Sequence, residues 1–148
     1  MTAVQEALVT VTTPAGPREV PATLRVPGGL PGLPGHDAYA LDPLDGTGVL
    51  FALRSEPSDG PAVRLFAVEP HAFFPDYAPE LPAGGLAALG LDVEQDGAPV
   101  LLAVVHPADD DRDRPTANLL APLVVHPRDG RVAQVVLDSD HPLRAPLG

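Results

Sequence analysis

A chain of 148 residues with twenty acids, nine arginines, no lysine and no cysteine has a formal net charge of −11 at pH 7. The length fits one domain, residues 1–148, with a real hydrophobic core. The composition excludes disulfides, thiolate metal sites, thiol nucleophiles, Schiff-base catalysis and a phosphate-loop lysine. Glycine and proline, 14 and 20 residues, approach the level of a disordered chain. The 45% of hydrophobic residues, gathered in β-branched runs, argues instead for a folded core whose glycines and prolines mark turns. No apolar run reaches the roughly 18 residues of a membrane span. The amino terminus lacks the basic flank of a targeting segment. A soluble, cytoplasmic protein is expected.

The first strand is predicted over Ala3 to Thr12, closed by Pro14-Ala15-Gly16-Pro17. Val20, Ala22, Leu24 and Val26 then alternate with Glu19, Pro21, Thr23 and Arg25, a half-buried strand that Pro21 assigns to an edge or a bulge. The run from Pro27 to Gly35 is a turn-rich loop, because two Gly-Leu-Pro triplets cannot sustain a triple helix. Short strands follow at Ala38 to Leu41, Val49 to Arg54 and Ala62 to Glu69, with the spacing of an antiparallel meander. His71 to Tyr77 holds Phe73, Phe74 and Tyr77, half of the six aromatic residues in the chain. These rings either plug one end of the core or form a partly exposed anchor.

One short helix is predicted near 82–89, with Pro82 at its first position and Gly90 ending it. Val100 to His106 is a strongly apolar strand, and the acidic loop around Asp109 should be solvated. From Thr116 to Leu137, two Val- and Leu-rich runs flank Pro127-Arg128-Asp129-Gly130 and read as a β-hairpin, Gly130 supplying the left-handed turn position. Its first strand, Leu119 to Val125, is apolar almost throughout and should be covered on both faces. Asn118 is expected to satisfy backbone groups where Pro122 interrupts the ladder. The proline-rich tail should form no regular element. The fold class is thus mostly β, a small single-domain β-barrel-like fold.

Charge is unevenly spread. Between Asp37 and Asp96 eleven acids face two arginines, leaving −9, whereas the first 36 residues are neutral. A field of this sign opposes direct binding to nucleic acid and favours a basic protein partner. No motif carries chemistry. Ser55, Ser58 and Ser139 sit in no nucleophile elbow, the five histidines form no zinc-type pair, and no glycine loop precedes a helix. Asp138 and Asp140 could hold a cation together but read more simply as local turn formers. No cofactor or metal is expected. A binding protein is the default, and a small acidic barrel that binds a ligand or hydrolyses one with clustered carboxylates is the alternative.

Three segments together resemble the flagellar assembly factor FliW family. They are Val26-Pro27-Gly28-Gly29-Leu30-Pro31-Gly32, then Phe73-Phe74-Pro75-Asp76-Tyr77, and Thr116 to Pro122 followed by Leu137 to Arg144. Val26 and Leu33 stand where the family usually has Phe, and His141 where an aromatic residue is frequent. The resemblance implies a non-enzymatic partner switch. Members bind flagellin in the cytoplasm; once flagellin is exported, the freed protein, expected as a monomer, binds the translational repressor CsrA and relieves repression of flagellin mRNA. On this reading the partner-binding residues are Glu69, Phe73, Phe74, Asp76, Tyr77, Asn118, Asp138 and Asp140. The acidic segment would steer the chain toward the basic repressor, with no direct nucleic-acid or membrane contact.

Overall fold

The computed structural model describes residues 8–13, 16–26, 38–44, 46–55, 64–77, 81, 89–90, 99–106, 115–137, 142 and 145–146, in which the regular elements are almost all β-strands. Strands β1 (Leu8–Thr13) and β2 (Gly16–Pro21) pair as an antiparallel ribbon of their own. The chain turns away at Ala22 and enters β3 (Thr23–Arg25), which belongs to a second, nine-stranded sheet. The alternating run from Glu19 to Val26 is therefore not one strand. Pro21 ends the first piece, and the carbonyl of Ala22 accepts from the Leu41 N–H at 2.7 Å instead of continuing the ribbon.

The meander is as the spacing predicts. β4 (Ala38–Pro43), β5 (Leu50–Ser55), β6 (Arg64–Val68) and β7 (Val100–His106) follow β3 in consecutive antiparallel pairs. β7 then pairs with two separate strands, β8 (Thr116–Ala117) at one end and β9 (Leu123–Val125) at the other. Three steps along β7, from Val105 to Leu102, are matched by six on the opposing segment, from Ala117 to Leu123. The excess residues are looped out between Asn118 and Pro122. The uninterrupted strand expected over Leu119 to Val125 is thus only three residues long.

β9 and β10 (Val132–Gln134) make the predicted hairpin around Gly130, whose φ is +77°. The tail departs from expectation: β11 (Ala145–Pro146) adds to β8 as a short strand, and Ala145 is buried in the core. Of the helix expected near 82–89, residues 82–88 lie outside the described part of the chain. Leu89 is buried against Val124 and Val135, and Gly90 has a φ of +66°. Among the described residues the sheet does not close into a barrel. Its outer strands β3 and β10 meet at one isolated parallel bridge, Arg25 to Arg131, where the Arg25 N–H donates to the Gly130 carbonyl at 2.9 Å.

Both faces of the sheet are covered. On one, Val9, Val11 and Val20 of the ribbon pack over Leu24, Tyr39, Leu41, Phe51, Leu53, Val100, Leu102, Leu123 and Val125. On the other, Val68, Ala103 and Ala117 lie under Tyr77, Leu119, Leu137 and Ala145. β7 feeds both cores, because successive side chains point to opposite faces. Leu123 and Val125 likewise face one core while Val124 faces a third cluster, as a strand covered on both sides requires.

Candidate functional site

The aromatic segment leaves β6 through a single turn of 3-10 helix, Pro70–Ala72. Its logic is local. Glu69 stands in extended conformation at the N-cap, and its carboxylate oxygens accept from the N–H groups of His71 (3.1 Å) and Ala72 (3.0 Å). Pro70 at the first position loses no donor that the turn would use. Phe73 and Phe74 N–H groups both reach the Pro70 carbonyl, at 3.1 and 2.8 Å. A β-turn follows, Phe74-Pro75-Asp76-Tyr77, closed by the Tyr77 N–H on the Phe74 carbonyl at 2.9 Å, with proline where its fixed φ suits the turn.

This corner separates the aromatic residues by role. Tyr77 is 8% exposed and lies in the core beside Leu119 and Leu137, its hydroxyl donating to the Leu119 carbonyl at 2.7 Å. Burial pushes the Tyr77 phenol up to about 12. Phe74 is half-buried against the same cluster. Phe73 is 42% exposed, and the neighbouring Pro75 and Asp76 are exposed as well. The rings therefore divide: Tyr77 fills the core and Phe73 faces solvent.

Glu69 is buried, and the desolvation of its carboxylate raises its pKa above the ordinary value against the lowering effect of the two N–H donors and of His71. Asn118 is also buried. Its side-chain oxygen accepts from the N–H groups of Leu120 (3.1 Å) and Ala121 (3.0 Å), inside the looped-out segment, as expected. Its own N–H stays on β7 through the Val104 carbonyl at 2.9 Å. Because Tyr77 bonds the carbonyl of the next residue, Leu119, the aromatic corner and the Asn118 loop form one structural unit. Six of the candidate residues thus come together, Phe73 and Asp76 at the surface and Glu69, Tyr77 and Asn118 beneath, with Phe74 between. Asp138 and Asp140 lie outside the described residues.

Order and spacing of these segments match a known family. The FliW protein family model matches residues 10–147. The chain belongs to the FliW family of flagellar assembly factors. Among its relatives, a flagellar assembly factor FliW of Heliobacterium modesticaldum is 35% identical over 118 residues, covering 80% of this chain and 74% of that one. Another, of Symbiobacterium thermophilum, is 34% identical over 123 residues, covering 82% and 86%. A crystal structure of the flagellar assembly factor FliW superposes with a TM-score of 0.72 at 26% identity, covering 95% of this chain and 96% of that one. The segment from Thr116 to Pro122, on which the resemblance to this family partly rests, carries β8 and the register break on β7.

One further cluster escapes the sequence reading. His126 is buried at the base of the hairpin turn, and its Nδ1 accepts from the N–H groups of Arg128 (3.2 Å) and Asp129 (3.3 Å). Asp129 is partly desolvated, yet the Arg131 N–H and guanidinium and the neighbouring His126 hold its carboxyl below the usual range. A histidine before proline gives no sequence signal for such a cap. Among the described residues no three His, Asp or Glu side chains gather as metal ligands, and no helix is long and apolar enough to cross a membrane.

Proposed function

We propose that this chain is a non-enzymatic partner switch of the cytoplasm: it binds flagellin as a chaperone-like factor and, when free, binds and antagonises the translational repressor CsrA. The observation that carries this reading is membership of the FliW family over residues 10–147. The −9 segment between Asp37 and Asp96 supports it, since an RNA-binding repressor offers basic surface to an acidic one. Exposed Phe73 and Asp76 supply an apolar anchor with an acid beside it. Glu69, Tyr77 and Asn118 act from beneath by holding that corner in place. We read the sheet as barrel-like in form, its outer strands drawn together at Arg25 and Arg131, and the free chain as a monomer.

The carboxylate-based alternative needs acids converging on a pocket. Among the described residues, the groove beside β1, about 330 Å³, is lined by Leu8, Val9, Thr10, Thr12, Pro43, Gly46, Thr47 and Gly48, none of them an acid. Titration calorimetry against purified flagellin and purified CsrA tests the proposal. Both are expected to bind at low ionic strength, and Phe73→Ala should weaken at least one of them while leaving thermal unfolding unchanged. Absence of binding to either protein at low ionic strength would overturn the reading.

A further inference from the structure

The two edges of the β1–β2 ribbon are chemically unlike. The Thr12 N–H points away from β2 and donates to the Gly48 carbonyl at 2.8 Å. Backbone groups alternate in direction along an antiparallel strand, so the N–H and C=O of Leu8 and Thr10 face that same outer edge. Among the described residues, no hydrogen bond outside the ribbon engages them. Opposite Leu8, Thr10 and Thr12 stand Pro21, Glu19 and Pro17, whose backbone nitrogens turn to the other edge by the same rule. Two of those three have no N–H to offer. The β2 edge is therefore blunted by proline, as edges that must not pair usually are, while the β1 edge keeps its donors.

The open edge also has a shaped surround. Between β1 and the turn at Gly46–Gly48 lies the groove described above, and Leu8 on its wall is 56% exposed. Gly48 maintains the notch. Its φ is +73°, and a side chain there would come within 2.7 Å of the Thr12 hydroxyl, so only glycine lets the turn lie this close to β1. Among the described residues, none lining the groove is charged. On the exposed face of the ribbon, Glu19 stands directly across from Thr10, and the whole chain carries −11.

We infer that the Leu8–Thr10 edge of β1 docks an extended segment of another protein, which adds to the ribbon as a third strand and carries Lys or Arg rather than acids. Backbone pairing supplies the affinity, the groove takes an apolar side chain, and the acidic field selects the sign of the flanking charges. The turn at Gly48 already occupies Thr12, and a side chain at Gly48 would lie 3.2 Å from the Thr10 carbonyl, so the added strand ends at the Thr10 N–H and is short. This docking mode is independent of whether flagellin and CsrA are the partners.

Fluorescence anisotropy with a labelled seven-residue peptide alternating Val with Lys and Thr tests it on the full chain. The peptide should bind, and Thr10→Pro, which removes an outward donor, should weaken it about tenfold, the worth of one or two hydrogen bonds. The same peptide N-methylated on alternate residues should weaken similarly on the unaltered chain, so the outcome stands even where Thr10→Pro perturbs folding. Hydrogen exchange at Thr10 should slow when peptide is bound. Equal binding of the N-methylated peptide, equal binding of a Val and Glu peptide, or no binding at millimolar concentration would overturn the assignment. Concentration-dependent dimerisation that Thr10→Pro abolishes would also overturn it, by naming a second copy as the occupant.

Discussion

Asn118 holds the looped-out segment with one oxygen shared by two N–H groups, both close to the buried core. Removing that oxygen strands two donors, each of which costs about 1–3 kcal/mol when left unsatisfied. Asn118→Ala should therefore lower stability to urea by about 2 kcal/mol or more, and Asn118→Asp, which keeps the acceptor, should recover much of the loss. Tyr77 gives a pH signature. Burial raises both tyrosine phenols in the folded chain, Tyr77 to about 12. A raised folded value favours the protonated phenol, so its contribution to stability is whole below about pH 10, the unfolded value, and is lost as pH rises toward 12. Absorbance at the tyrosinate band should show Tyr77 un-ionised at pH values where the denatured chain has already titrated, and Tyr77→Phe should blunt the alkaline loss of stability. At this scale legibility follows chemistry. An amide beside a proline in an apolar run announces a backbone irregularity, which is why the role of Asn118 could be read in advance. A histidine before a proline announces nothing, because the cap at His126 depends on how the turn folds back over it.

The elements that could be read from sequence are those whose signal is periodic and local: the meander from β4 to β6, strand β7 and the turn at Gly130. Those that could not be read depend on tertiary pairing. β8 and β11 are two residues each, too short for any pattern, and exist because β7 and β8 offer them an open ladder. The apparent strand from Glu19 to Val26 alternates throughout, yet it divides at Ala22 because its two halves serve different sheets. Gly130 shows how one turn residue serves more than its hairpin. Its φ is +77°, its carbonyl accepts from Arg25, and a side chain there would lie 2.8 Å from the Thr23 carbonyl and 3.3 Å from Pro21. Gly130→Ala should thus meet both the left-handed penalty of about 1–2 kcal/mol and a backbone collision that pushes β3 from β10. Gly46, with nothing within 4 Å of a built side chain and no left-handed φ, is the control. Chemical denaturation should find Gly46→Ala close to the parent and Gly130→Ala clearly less stable, and equal behaviour of the two would refute the role given to the Arg25 to Arg131 bridge.

Over the whole molecule the charge acts in two opposed ways. Twenty acids and nine arginines leave −11 on a chain of 15.3 kDa, and like charges held together in the folded state repel one another. The described ion pairs, Arg54 with Asp42 and Arg131 with Asp129, join exposed or half-exposed side chains and offset little of this. Salt shortens the reach of exposed charges, from about 30 Å at 0.01 M to about 8 Å at physiological strength. Adding salt should accordingly raise the melting temperature of the free chain, because self-repulsion falls. The same addition should weaken a complex with a basic partner, because attraction falls with it, and the loss should appear chiefly in the association rate. Calorimetric scans and binding titrations over one salt series measure the two slopes on the same preparation. Opposite signs are the expected result. If both slopes rise, the contact is apolar, and the acidic segment then keeps the chain soluble without steering it toward a partner.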